Sequence, residues 1–301
     1  MHTPSRLTSA ALLLTLGLLS VGITACGQER AIAVRTMNEA LSENKTGNTG
    51  DAIKLLKQAV NEDPTFADPA YYLGQLYHQK YNQLGDAESS FKRALERAPD
   101  NAQFLYRLGT VQAEQNKHDD AVRNLRKAVE KEPTFAKAWF RLGLSQREKG
   151  EFDAAVQSFT KSIEQDPKMR FGKADDGGQA FHAIGDIYVL FRFYDKAKDV
   201  YKEGLKHNPD TAQLLRGLGL AQVNLKDYEG AQSSLEKALE LDPSKATAYF
   251  SLAKAQQEQK KYKQAVKTLD RFISSADPSR DSARMGAASA MRSELQAQLK
   301  D

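Results

Sequence analysis

Residues 136–167 read AKAWFRLGLSQREKGEFDAAVQSFTKSIEQDP, and the fold is decided there. The stretch opens with Ala138-Trp139-Phe140-Arg141-Leu142-Gly143, which reads as one helix with Trp139 packed in its core. Lys149-Gly150-Glu151-Phe152 breaks the pattern as a turn. A second helix follows, in which Ala155, Phe159 and Ile163 recur every four residues and form one apolar stripe. Asp166-Pro167 stops it. Gly143 and Ala155 lack bulk, so the two helices can approach closely where they cross. Neither helix can hide its stripe alone, so the pair requires neighbours of the same kind.

Those neighbours are present along the chain. Prolines fall at 64, 99, 133, 167, 209, 243 and 278, at intervals of 35, 34, 34, 42, 34 and 35. A second register runs through Leu73-Gly74, Leu108-Gly109, Leu142-Gly143, Ile184-Gly185, Leu218-Gly219 and Leu252-Ala253. Alanines at 52, 87, 121, 155, 197, 231 and 265 form a third. All three registers contain the same long step, so the chain is built of repeats. The sequence predicts an all-α protein, with extensive sheet excluded because no Val/Ile/Thr alternation occurs.

The order of aromatic, Leu-Gly, Gly-x-aromatic, Ala, aromatic and Pro resembles the tetratricopeptide repeat. The resemblance implies a right-handed superhelical α-solenoid over residues 33–280, of about seven helix-turn-helix units. These are 33–66, 67–101, 102–135, 136–169, 178–211, 212–245 and 246–280, the first being degenerate, with Ala40 in place of glycine. Residues 170–177 form an insertion, either a tolerated surface loop or a segment overhanging a binding face. Residues 281–301 carry Met285, Ala288, Met291, Leu295 and Leu299 at helical spacing. They read as the capping helix that repeat arrays require. The alternative is a stripe that docks a partner or pairs two copies of the chain.

In this family the first helices line a concave groove that takes a peptide or helix of a partner protein. Carried onto this chain, the groove positions are Tyr71, Gln75, Tyr106, Thr110, Phe140, Leu144, Arg147, His182, Asp186, Arg216, Phe250 and Lys254. Leu220, Val189 and Val223 extend the same face. Aromatic residues and Arg carry much of the energy of protein interfaces. Packing within the repeats is the competing role for the rings. The Lys and Asn pair with which some family members clamp a terminal carboxylate is missing from every unit.

The N-terminus reads differently. Met1–Arg6 is short and polar with one fixed positive charge, and an apolar core follows from Leu7 to Gly22. This is the pattern of a secretory signal, and the run is short for a membrane-spanning helix, with a retained anchor helix as the alternative. Ile23-Thr24-Ala25-Cys26 resembles the bacterial lipobox. The resemblance implies removal of residues 1–25, acylation of Cys26 and membrane attachment, since several acyl chains anchor stably where one does not. Gly27 in the next position points to the periplasmic face of an outer membrane, where the source has one. Residues 26–32 are then a short tether.

Composition narrows the function. Of 301 residues, 27% are charged and 41% hydrophobic, with a net charge of +4. Lys and Arg alternate with Asp and Glu, which describes a solvated helical surface and not a nucleic-acid stripe. With one cysteine, no intramolecular disulfide forms. His2, His78, His118, His182 and His207 are scattered without metal-ligand spacing, and no nucleophile motif occurs. No catalytic residue, metal or cofactor is expected. The reading is a lipid-anchored, non-enzymatic adaptor that binds other envelope proteins. The alternatives are a pilotin-like factor for a secretin or type IV pilus, an adaptor of cell-wall hydrolases, and, from another class, an envelope enzyme.

Overall fold

A computed structural model describes residues 9–168 and 178–299, with side chains described from Gly27 onward. The start of the expected signal segment, the Cys26 side chain and the 170–177 insertion lie outside the described residues. Fifteen helices and no strand occur among the described residues. In order they are α1 (Ser9–Thr46), α2 (Thr49–Glu62), α3 (Ala67–Tyr81), α4 (Leu84–Arg97), α5 (Ala102–Glu114), α6 (His118–Lys131), α7 (Ala136–Glu148) and α8 (Phe152–Gln165). Then come α9 (Gln179–Leu190), α10 (Tyr194–His207), α11 (Ala212–Asn224), α12 (Tyr228–Leu241), α13 (Ala246–Glu258), α14 (Tyr262–Ser275) and α15 (Pro278–Gln298). Each odd-numbered helix packs against the even-numbered one that follows. The chain divides into two compact units, residues 1–133 with α1–α6 and residues 134–301 with α7–α15.

The pairs close on glycine. A Cβ added at Gly143 of α7 would lie 2.7 Å from the ring of Phe159 on α8. Gly109 meets Leu125, and Gly219 meets Leu235, in the same way. Each of these second-helix side chains is fully buried, so it fills the space that the glycine leaves.

The turns inside the pairs share one geometry. Asn82, Asn116, Gly150, Arg192, Lys226 and Lys260 all have positive φ. The next residue reaches back to close the helix end, as where Glu151 N–H donates to Gln146 O at 2.9 Å and Asp227 N–H to Gln222 O at 2.9 Å. This is the left-handed helix stop that satisfies the last carbonyls.

A polar stitch joins four of the pairs. Ser158 Oγ donates to Gln146 Oε1 at 2.6 Å, Ser234 Oγ to Gln222 Oε1 at 2.7 Å and Thr268 Oγ1 to Gln256 Oε1 at 2.8 Å. Asn124 Nδ2 makes the equivalent bond to Gln112 Oε1 at 2.7 Å. All four glutamines are buried, where an unmade hydrogen bond would cost about 1–3 kcal/mol, so the partner residue is required.

Instead of one large core, each unit holds a chain of small ones. In the first unit, Ala33, Met37 and Ala40 of α1 pack with Leu56 of α2 and Leu73 of α3. In the second, Phe140, Phe159 and Ile184 join α7, α8 and α9, while Tyr201 and Leu214 join α10 and α11. The last cluster unites Leu269 and Phe272 of α14 with Ala288 and Leu295 of α15. Met285 and Met291 pack on that cluster, so the apolar stripe of α15 faces inward as a cap and leaves Leu299 exposed.

Residues 27–32, expected to be a tether, are helical and belong to α1. Arg30 is docked as well. Its guanidinium pairs with buried Asp63, donates to Thr65 Oγ1 at 3.1 Å and lies 4.6 Å from the centre of the Phe66 ring. Arg30 finds its partners in the α2–α3 turn, which no local pattern announces. Among the described residues no helix is long and apolar enough to cross a membrane.

Candidate functional site

The expected groove residues lie on the first helices of their pairs. In the first unit most are occupied by packing. Tyr71 stacks on Phe104 at 4.6 Å between ring centres, and its hydroxyl accepts from Gln75 Nε2 at 2.6 Å. Tyr106 is 8% exposed and Thr110 2%, with the Thr110 hydroxyl donating to Tyr106 O at 2.8 Å. His78 Nε2 lies 2.6 Å from Glu114 Oε2 and couples α3 to α5 on this face. This end therefore offers an edge of Tyr71, Gln75 and the His78–Glu114 pair.

The second unit is more open and more charged. Phe140 is buried against Phe159, while Leu144 is half-buried. Beyond them His182, Asp186, Arg147 and Arg216 come together from α7, α9 and α11. His182 Nδ1 lies 3.2 Å from Asp186 Oδ2, and Tyr201 Oη donates to Asp186 Oδ1 at 2.9 Å. Tyr201 reaches this face from α10 by passing between two glycines. A Cβ at Gly185 would lie 2.4 Å from its ring, and one at Gly217 2.5 Å. Burial pushes the Tyr201 hydroxyl up, and the Asp186 charge adds to that, so it stays a donor.

His182 titrates below its ordinary value. Burial is the main cause; Asp186 opposes it, while Arg216 and Arg147 add to it. The ring is therefore neutral at pH 7. Arg216 is half-buried and forms no hydrogen bond or ion pair among the described residues. Arg147 pairs only with its neighbour Glu148, at 3.0 Å on the exposed side. Further along, Lys254 is exposed, 5.7 Å from the ring of half-buried Phe250. Leu220 is 38% exposed, with Val189 and Val223 half-buried beside it in register. No group of His, Cys, Asp and Glu that could hold a metal occurs among the described residues.

Sequence models of two families, both described as tetratricopeptide repeat, match the chain, one over residues 106–170 and 182–246 and the other over 44–104 and 225–290. Between them they cover most of the helical pairs. The chain is a tetratricopeptide-repeat protein. No curated protein matches it in sequence. Several solved structures are similar in fold. The MamA crystal structure matches at 24% identity with a TM-score of 0.52, over 58% of this chain and 96% of that one. Pseudomonas aeruginosa pilF matches at 20% identity and 0.58, over 77% and 99%. YrrB, described as a tetratricopeptide-repeat protein with an unusual peptide-binding site, matches at 19% and 0.51, over 62% and 92%. At these identities the likeness is one of fold.

Two features of the tetratricopeptide face escape sequence reading. One is the Tyr201–Gly217 couple. Tyr201 stands where other repeats have Phe91, Leu125, Phe159, Leu235 and Leu269, and Gly217 where they have Tyr72, Arg107, Arg141, Ala183 and Ser251. A hydroxyl on the second helix of one pair and a second glycine on the first helix of the next were the available signal. The other is the α9–α10 turn, where Leu190, Phe191 and Phe193 are all exposed, whereas the equivalent turns carry at most one apolar or aromatic residue, Tyr81 or Leu225.

Proposed function

We propose that this tetratricopeptide-repeat protein is a lipid-anchored adaptor of the bacterial cell envelope that holds segments of other proteins against its first helices. One observation carries the reading: in the second unit these helices bring Arg147, Arg216, Leu220 and Lys254 to a single face, and Arg216 makes no hydrogen bond or ion pair within the described chain. Side chains left half-satisfied on a preformed helical scaffold suit a partner that supplies the missing groups. Recognition without chemistry also accords with the repeat family.

The anchoring half of the proposal rests on the lipobox resemblance at Cys26. Only Gly27, Gln28 and Glu29 separate that residue from docked Arg30. At ~1.5 Å of rise per helical residue, the first unit would lie within one or two helical turns of the bilayer. The periplasmic face of an outer membrane is the proposed location.

Photo-crosslinking amino acids at Leu220 and Lys254 test the binding face, with Lys202 on the exposed side of α10 as control. The expected result is capture of the same envelope protein from both face positions and not from Lys202. Equal capture from all three positions, or none from the face, rejects it. A captured secretin subunit would select the pilotin-like role, and a captured wall hydrolase the hydrolase-adaptor role. In the same cells, Cys26→Ala is expected to abolish palmitate incorporation and move the protein from the membrane to the soluble fraction. Unchanged fractionation would reject the anchor while leaving the face untouched.

A further inference from the structure

Asp186 makes no direct ion pair with the arginines around it. One of its oxygens accepts from Tyr201 at 2.9 Å and the other faces His182 Nδ1 at 3.2 Å. The Tyr201 ring is wedged between Gly185 and Gly217, so this arrangement is fixed by packing from the opposite side of the helix layer. No carboxylate of the described chain comes within ion-pair distance of Arg216. Arg147, which acts with Arg216 on the same His182 ring, has only exposed Glu148. The face thus holds two guanidinium groups beside a prearranged polar network, and neither grips a carboxylate of the described chain through two parallel bonds. A guanidinium binds a carboxylate through two parallel N–H donors, and gains most where water is partly excluded.

The apolar surface continues on both sides of this cationic point. Leu144 lies on α7 before it; Leu220 on α11 and Phe250 on α13 lie after it. A ligand that ended at the arginines would leave one of these flanks uncovered. We infer that the face of α7, α9 and α11 is a binding site for the Asp or Glu side chain of an extended partner segment, held by Arg216 and Arg147, with apolar neighbours of that acid seated on Leu144 and Leu220. This deepens the adaptor reading and rests on it. The occupant is an acidic side chain within a peptide, not a chain terminus.

The test uses the full chain and fluorescent eleven-residue peptides: an array with both ends blocked, each holding a central glutamate among varied apolar residues, and a matching set without glutamate whose C-terminus is free. Binding is read by anisotropy. The best binders are expected to lose about ten-fold in affinity when the glutamate becomes glutamine, the loss typical of one charge-assisted hydrogen-bonded pair. Arg216→Gln should cost a similar factor against the glutamate peptide and almost nothing against the glutamine peptide. Arg147→Gln, farther from the Tyr201 wedge, should repeat the pattern more weakly. Equal binding of glutamate and glutamine peptides overturns the inference. So does an equal loss for both peptides in Arg216→Gln, tighter binding of peptides whose only acid is a free terminus, or failure of the whole array to bind. The adaptor reading fails separately, when crosslinkers at Leu220 and Lys254 capture no envelope protein.

Discussion

Glu88 is a carboxylate that the fold keeps charged. It is buried on α4, and burial alone would raise its pKa, but Lys117 at 2.7 Å, Lys92 at 2.8 Å and the amide of Gln112 outweigh that cost. Its pKa falls from an ordinary 4.5 to about 2. The folded state therefore holds the proton less tightly than the unfolded state. The stabilisation is fully present above pH 4.5 and is lost as the pH falls toward 2. Both lysines are about half exposed, so solvent discounts the pair and Glu88→Gln should destabilise by about 1 kcal/mol at pH 7. Urea midpoints of the two proteins should converge between pH 4.5 and pH 2. A gap that persists at the acid end would show that shape, not charge, is what the variant lost. The partner of Glu88 is a lysine 29 residues away, in the turn that opens α6. A pairing of that kind is invisible to any reading of local pattern. Arg30 and Asp63, and Tyr201 and Asp186, escaped for the same reason.

At the scale of the element, the turns separate what is written in the sequence from what the fold imposes. Asn116 and Gly150 announce their turns because Asn and Gly tolerate positive φ. Arg192, Lys226 and Lys260 hold the same conformation, with φ near 61°, and nothing in their chemistry suggests it. The 34-residue spacing is what places them, since the helix stop recurs wherever the repeat does. An L-residue in this region costs roughly 1–2 kcal/mol, and glycine gives back about 0.5–1 kcal/mol of that in the unfolded chain. The Lys226 side chain is exposed and makes no hydrogen bond or ion pair in the described chain. Lys226→Gly is therefore expected to stabilise by up to about 1 kcal/mol and raise the melting temperature by a few degrees. Gly150→Ala should do the reverse, since the nearest atom to its added Cβ is 4.0 Å away and backbone cost alone decides. A neutral result at both sites would mean that the turns relax at little cost. The helical pairs were thus legible from spacing, whereas the face they present was legible only in register. Tyr106, Thr110 and Phe140 share that register, yet all three are buried.

For the molecule as a whole, the question is how a repeat array ends. Within each unit a pair is followed by a helix that packs on its second member, as α3 on α2, α9 on α8 and α13 on α12, and for α14 that helix is α15. Leu269 and Phe272 of α14 have no exposure at all, and Ala288 and Leu295 of α15 complete their cluster. The polar positions of α15 face outward, with Arg292 Nη1 donating to Asp270 Oδ1 at 2.9 Å. A helix so oriented covers its own chain and presents little that could pair two copies. Burial of each large apolar side chain is worth about 1.5–3 kcal/mol, and in a repeat array that loss falls on the terminal pair first. Deleting residues 278–301 is expected to lower the urea midpoint, and to drive the shortened chain into larger species by sedimentation at micromolar concentration. The full chain should sediment as a smaller particle under the same conditions. If the deletion instead converted a dimer to a monomer, α15 would be an oligomerisation helix and its apolar stripe would have to leave α14 in solution. The direction of that change in mass separates the two roles, because only a cap makes the chain more adhesive when it is removed.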